Sequence, residues 1–373
     1  MGKEIPHLVI PENLKPHDAR FGSGPSKIRA TQLAALVASN PGYLGTSHRQ
    51  KTVRDVVQSL REGLTQLFNL PTGYEVVIGN GGATAFWDAA IFGLIKENAQ
   101  FLSFGEFSNK FATAAQNAPF LKNIEIIKSE PGDAPDYQPN DSFDVYATAH
   151  NETSTGVMKE VKRPKANGLH LVDATSAAGG SMVDPKEFDV YYFAPQKSFG
   201  SDGGFFTALM SPAAIERISE IKSTKRWIPP FLDLSIALEN SRLQQTYNTP
   251  SLATIHMFEN QVSWFNQQGG LAWSSNKSKQ STDYLYDWAD KRDFAYPFVE
   301  KKELRSTVVA AINFIDSIDA NDISAILRAN GIVDTDSYKK IGKNQIRIGA
   351  FPSVELSDIQ ALTNCVDWIV EHL

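Results

Sequence analysis

The chain has 373 residues, 42% hydrophobic and 21% charged, so it can bury more than one compact core and is neither disordered nor fibrous. Thirty-six basic against forty-two acidic residues give a formal net charge of −6 without a dense basic run, which argues against a nucleic-acid partner. One cysteine, Cys365, excludes an internal disulfide or a multi-thiolate metal site and suits a reducing compartment, so the cytoplasm is expected.

The stretch up to Phe21 is apolar only in fragments, broken by Pro6, His7 and Pro11, and residues 1–20 read as an extended arm rather than a signal segment. The best apolar run elsewhere, Thr307 to Phe314, is strand-length and far short of the roughly 20 residues a membrane helix needs. No membrane span is expected.

From Glu75 onward strand-like and helix-like segments alternate, which predicts an α/β fold with a mostly parallel sheet covered by helices. Glu75–Ile78 reads as a strand, Gly79-Asn80-Gly81-Gly82 as a tight turn and Ala83–Lys96 as a helix. Further strands are expected at Gln100–Ser103, Ile124–Lys128, Asp144–Ala147, Leu169–Val172, Asp189–Phe193 and Phe205–Met210, which makes a seven-stranded sheet. Helical patterns follow at Ala213–Lys222, Leu234–Gln245, Leu252–Gln267 and Ser278–Asp290. A second small α/β unit then comprises strand Thr307–Phe314, helix Asp319–Asn330, strand Gln345–Ile348 and a closing helix Glu355–Leu373. The expected division is a large unit over residues 21–268 and a smaller C-terminal one over 269–373, parted near Gly269-Gly270.

Function is expected at the strand ends. Gly79-Asn80-Gly81-Gly82-Ala83-Thr84 joins a strand to a helix N-terminus, where free N–H groups favour a phosphate, or it is a plain tight turn. It is neither G-x-G-x-x-G nor a Walker loop, so dinucleotide and nucleotide readings lose their support. Leu169-His170-Leu171-Val172 ends in Asp173, which places a carboxylate at the sheet edge. Lys197, in Phe193-Ala194-Pro195-Gln196-Lys197-Ser198-Phe199-Gly200, is hemmed by apolar and glycine residues, a setting that lowers an ammonium pKa and favours a nucleophilic amine. Phosphate turn, aspartate and lysine together match what pyridoxal 5'-phosphate demands. Phe107 at another strand end offers a face for a flat ring, and Asn151 and Thr153 an amide and a hydroxyl. Arg49, beside His48, and Arg347 could each clamp a carboxylate. The seven histidines show no paired ligand spacing and no G-x-S-x-G elbow occurs, so neither a metal nor a serine triad is expected.

Taken in order, Phe21-Gly22-Ser23-Gly24-Pro25, Ser47-His48-Arg49, Gly81-Gly82-Ala83-Thr84, Asn151-Glu152-Thr153, Asp173, Gln196-Lys197, Asn248-Thr249-Pro250 and Arg347 make the chain resemble a known family over nearly its whole length. It is similar to the fold-type I, class V pyridoxal-phosphate aminotransferases and, within them, to the phosphoserine aminotransferases. The resemblance implies that Lys197 is the cofactor-binding and proton-shuttling lysine and that Asp173 holds the pyridine nitrogen protonated. It implies that Ala83, Thr84 and Gln196, with Asn248 and Thr249 of a second subunit, bind the phosphate, and that Phe107 and Thr153 contact the ring. His48, Arg49 and Arg347 would read the anionic groups of the substrate, Arg347 the α-carboxylate. The implied reaction moves an amino group between L-glutamate and 3-phosphohydroxypyruvate in serine biosynthesis, in a homodimer with shared active sites; some members also serve pyridoxine biosynthesis.

Two positions depart from the family pattern. Phe107 stands where better-known members have tryptophan, and Tyr338-Lys339-Lys340 replaces a histidine before the strand arginine, with Lys339, Lys340, Lys225 or Arg226 as substitute cations. The alternatives are an aminotransferase for unphosphorylated alanine, serine or glyoxylate, and a lyase of the cysteine desulfurase kind, which would need a reactive loop cysteine that the helical setting of Cys365 does not offer.

Overall fold

The computed structural model describes residues 8–373. Ahead of the expected elements it adds two helices, α1 (Ala30–Ala38) and α2 (Lys51–Leu67). α2 buries Val53, Val57, Leu60, Leu64 and Leu67, the four-and-three spacing of an amphipathic helix. Then come β1 (Glu75–Asn80), α3 (Gly82–Gly93), β2 (Asn98–Ser103), α4 (Glu106–Gln116), β3 (Asn123–Lys128) and β4 (Val145–Ala149). A short hairpin, β5 (Asn151–Glu152) and β6 (Val157–Met158), leads to β7 (Leu169–Asp173), β8 (Val190–Phe193) and β9 (Phe205–Met210). Helices α5 (Pro212–Ser223), α6 (Leu234–Arg242), α7 (Leu252–Gln268) and α8 (Gly270–Asp290) follow. The chain closes with β10 (Ala295–Pro297), β11 (Val309–Phe314), α9 (Ala320–Ala329), β12 (Gln345–Gly349) and α10 (Leu356–His372).

All seven expected strands join one sheet in the order β1-β9-β8-β7-β4-β2-β3, with β9 antiparallel to both neighbours and the rest parallel. β4, β7, β8 and β9 are buried along their whole length because helices cover both faces. One face carries α3 to α6 through Phe86, Phe111, Ile218 and Leu234, and the other carries α2 and α7 through Leu60, Leu64, Phe258 and Val262. The loops leaving the C-terminal ends of β1, β2, β4, β7 and β8 therefore meet along a single edge.

A second core packs α9, α10 and the far half of α8 on the antiparallel sheet β10-β11-β12. The N-terminal stretch, described from residue 8, lies on this core through Ile10 and Phe21, and the amides of His17 and Asp18 donate to Asp358 Oδ1 at 3.0 and 3.2 Å. α8 serves both cores, with Leu271 in one and Leu285, Trp288 and Ala289 in the other.

Three helices differ from expectation by three residues or more. α3 stops at Gly93 rather than Lys96, because Leu94 leaves the helical conformation (φ −124°) and packs into the core. α8 starts at Gly270 rather than Ser278, because its first turns bury Ser274 and Ser275, small polar residues without an apolar period. α6 stops at Arg242 rather than Gln245, because Gln244 takes the left-handed conformation (φ 60°) and turns the chain.

Candidate active site

A cavity of about 300 Å³ opens at the C-terminal edge of the parallel strands. Lys197 lies in its wall, four residues past the end of β8, with only 7% of its surface exposed. Its Nζ donates to Thr153 Oγ1 at 2.8 Å. The segment from Gly24 runs alongside: the Ser26 amide donates to the Gln196 carbonyl at 2.9 Å and the Ser26 hydroxyl to the Lys197 carbonyl. Gly24 sits at φ 124°, and a Cβ there would fall 2.7 Å from Lys197 Cε, so a side chain at this position would displace the lysine. Burial pushes the Lys197 ammonium down to about 7, helped by the positive charge of Arg347 and opposed by Asp173 and Glu152. Close to neutral pH a large share of this lysine is free amine.

Asp173 ends β7 in the same wall. Its Oδ2 accepts from Trp87 Nε1 at 3.1 Å and its Oδ1 from the Thr175 amide at 2.9 Å, which fixes the carboxylate plane. Burial and then the Asp173 charge push the Tyr191 and Tyr192 phenols up, so both stay protonated around it. Trp87 was not among the expected site residues; its only signal is its place one turn after Thr84 on a helix that faces the sheet. We predict that Trp87→Phe, which deletes a hydrogen bond to a charged acceptor, lowers the unfolding free energy by about 2 kcal/mol. Urea denaturation measures this, and an unchanged midpoint at unchanged slope would show that the bond contributes nothing.

The glycine turn presents an uncapped helix start to the cavity. Gly81 and Gly82 both have positive φ (104° and 73°), and no side chain caps the start of α3, where Ala83 and Thr84 line the cavity. The first-turn N–H groups thus have no capping partner and the positive end of the helix dipole faces the space. Phe107 also lines the cavity, with its ring centroid 5.6 Å from Lys197 Nζ and 6.0 Å from the Tyr338 ring. It stands just past the end of β2, as expected, in the first turn of α4. Three polar atoms in the wall, Gln196 Oε1, Asn151 Oδ1 and Thr175 Oγ1, are buried without a hydrogen-bond partner. A buried wall with unpaired polar atoms, an amine, a carboxylate and a helix N-terminus suits a polar ligand with an anionic end.

The model of the family described as aminotransferase class-V matches residues 28–335. The chain belongs to this family. It is 53% identical to a putative phosphoserine aminotransferase of Mycolicibacterium paratuberculosis and 52% identical to a phosphoserine aminotransferase of Rhodococcus jostii, in both cases over 98% of each chain. Among solved structures it is similar to a phosphoserine aminotransferase of Cytophaga hutchinsonii, with a TM-score of 0.87 at 22% identity over 94% of this chain and 99% of that one. The protein is therefore a pyridoxal-phosphate-dependent aminotransferase with the fold-type I architecture.

The aminotransferase does not bring every expected site residue to the cavity. Arg347, on β12 of the smaller sheet, reaches across to donate from Nη1 to the Thr153 carbonyl at 2.8 Å, and its Nε is buried without a partner. Arg347 meets the wall only through Thr153, and His48, Arg49, Asn248 and Thr249 stand outside it as well. His48 Nδ1 and Thr249 Oγ1 are 3.3 Å apart, Asn248 accepts from Asn80 Nδ2 at its carbonyl and Oδ1, and Arg49 is exposed. Of the substitute cations, Arg226 is engaged with the carbonyls of Phe92, Ile95 and Lys96 at the far end of α3. Lys340 instead pairs with Glu106, the neighbour of Phe107. Cys365 is buried in α10, donates to the Leu14 carbonyl, and is pushed up to about 11 by burial, which removes the desulfurase alternative.

Proposed function

We propose that the protein is a phosphoserine aminotransferase that moves an amino group reversibly between L-glutamate and 3-phosphohydroxypyruvate, giving O-phospho-L-serine and 2-oxoglutarate. The observation that carries the reading is the buried Lys197 amine, pushed down to about 7 in a wall shared with Asp173 and the glycine turn. The names of relatives at 52–53% identity support the choice of substrate pair.

In this reading Ala83, Thr84 and Gln196 hold the cofactor phosphate, Phe107 and Thr153 contact the ring, and Asp173 holds a proton on the ring nitrogen. Pyridoxal phosphate, when bound, supplies an aldehyde that captures amino groups and a ring that accepts electrons from the substrate Cα–H bond. Lys197 Nζ then takes the Cα proton and returns one on the other side of the exchange, a task for which an amine near neutrality is well matched. Thr153 Oγ1 orients that amine, and burial of the wall keeps bulk water from it. Arg347 binds the α-carboxylate. His48, Arg49, Asn248 and Thr249, outside their own chain's cavity, complete the site of a second copy in a two-fold homodimer. A place in serine synthesis follows from the substrates, and the single cysteine suits a cytoplasmic setting.

The test is a spectrophotometric titration of the cofactor-loaded protein with L-glutamate, O-phospho-L-serine, L-serine and L-alanine. Loss of the visible cofactor band with the first two alone is expected. Conversion by serine or alanine instead would assign the site to an unphosphorylated substrate, since the fold alone sets no substrate. Arg347→Ala is expected to raise the glutamate KM about 10²-fold, because it strips a half-buried charged clamp. Steady-state kinetics measure this, and an unchanged KM would take the α-carboxylate away from Arg347.

A further inference from the structure

Glu152 is fully buried, and among the described residues no lysine or arginine forms an ion pair with it. A buried carboxylate needs compensation, and here it comes from five donors. Oε1 accepts from the Phe107 amide (3.3 Å), the Ser154 amide (3.3 Å) and the Ser154 hydroxyl (2.8 Å). Oε2 accepts from the Ser108 amide (2.9 Å) and the Ser108 hydroxyl (2.8 Å). Two of these are first-turn amides of α4, whose own N-cap residue, Gly105, has no side chain. A Cβ on Gly105 would lie 2.1 Å from Glu152 Cγ, so the carboxylate from β5 occupies the place of the missing cap. An anion at a helix N-terminus also gains from the helix dipole.

The same carboxylate reaches the pocket from both sides. Through α4 it holds the backbone of Phe107, and along its own chain it is followed by Thr153, which accepts from Lys197 at its hydroxyl and from Arg347 at its carbonyl. Its fixed negative charge also favours the protonated forms of Lys197 and Arg347.

We propose that Glu152 is a positioning residue of the aminotransferase: by capping α4 from the adjoining hairpin it fixes the Phe107 ring and the Thr153 hydroxyl at the spacing the cofactor ring occupies. This rests on the reading of Phe107 and Thr153 given above. Aspartate is one methylene too short to reach the α4 amides, whereas glutamine has the reach but replaces one acceptor with a donor and removes the charge. The two variants therefore separate placement from charge.

The test uses cofactor-loaded wild type, Glu152→Gln and Glu152→Asp, read by visible circular dichroism of the cofactor band, the pH midpoint of that band, and kcat and KM for glutamate. Both variants are expected to lose most of the induced ellipticity, which reports a ring held in one orientation, and to lose on the order of 10²-fold in kcat with KM changed less than about threefold. The midpoint should fall by about one unit in Glu152→Gln and stay near wild type in Glu152→Asp. Wild-type ellipticity and midpoint in Glu152→Gln would overturn the positioning role, even if activity fell. If Glu152→Gln does not fold, Ser108→Ala/Ser154→Ala, which keeps the charge but removes two of the five donors, carries the test: reduced ellipticity at an unchanged midpoint supports the role, and full ellipticity overturns it. A wild-type protein with no cofactor band at all would overturn the reading of the pocket and this proposal with it, a result distinct from every outcome above.

Discussion

Lys197→Ala is expected to fold and to accept pyridoxal phosphate, yet to turn over glutamate at least about 10⁴-fold more slowly. The substitution removes the amine that moves the Cα proton and leaves Thr153 Oγ1 without its donor. The rate is read from coupled steady-state kinetics; residual activity within tenfold of wild type would remove Lys197 from the proton transfer. The cofactor-free protein offers an independent check through stability. The folded-state ammonium titrates at about 7 against an ordinary value of 10.5, so between these pH values the unfolded chain carries a proton that the folded chain lacks. Unfolding there takes up a proton, and the stability of wild type relative to Lys197→Ala should rise with pH from about 7 towards 10.5 and level off below 7. Urea unfolding of both proteins at pH 6.5 and pH 9 measures the difference. Parallel pH dependences would mean that the amine is not depressed in the fold.

The second large effect belongs to Asp173. Asp173→Asn preserves shape but not charge and is expected to lower kcat on the order of 10³-fold, because a neutral amide cannot hold a proton on the ring nitrogen. Asp173→Ala should lose similar activity and, in addition, about 1–3 kcal/mol of stability for the buried donor left behind, Trp87 Nε1, and less for the part-buried Thr175 amide. Kinetics and chemical denaturation of the pair separate charge from support. An asparagine variant with more than about a tenth of wild-type kcat would show that the negative charge is not used.

Lys197, Asp173 and the Gly81–Thr84 turn were legible in the sequence because each ends or follows an apolar strand, and a parallel sheet sends all such ends to one edge. Phe107 was legible as an aromatic at that edge but not as a helical residue. α4 has a glycine, Gly105, at its N-cap and takes its cap from Glu152, a residue of a different element, so no local capping signal exists. Neither Trp87 nor Glu152, although the latter stands inside the Asn151-Glu152-Thr153 landmark, was legible as a site residue, since their hydrogen bonds reach groups far away in the chain. Arg347 was correctly placed on a strand, on the face opposite Ile346 and Ile348, but nothing in its neighbourhood shows that it reaches Thr153 from the smaller sheet. His48, Arg49, Asn248 and Thr249 carry recognisable motifs while standing outside the cavity of their own chain.

The sequence alone determined the α/β class, the seven strands and the lysine, aspartate and glycine turn at their ends, because side-chain alternation and turn chemistry are local properties that each segment carries with it. The apolar and glycine setting of Lys197 already pointed to a depressed amine, which the fold bears out by burying it; only the tertiary structure decided the Trp87 clamp on Asp173 and the Glu152 cap on α4, because hydrogen bonding between distant segments exists only once the chain has folded.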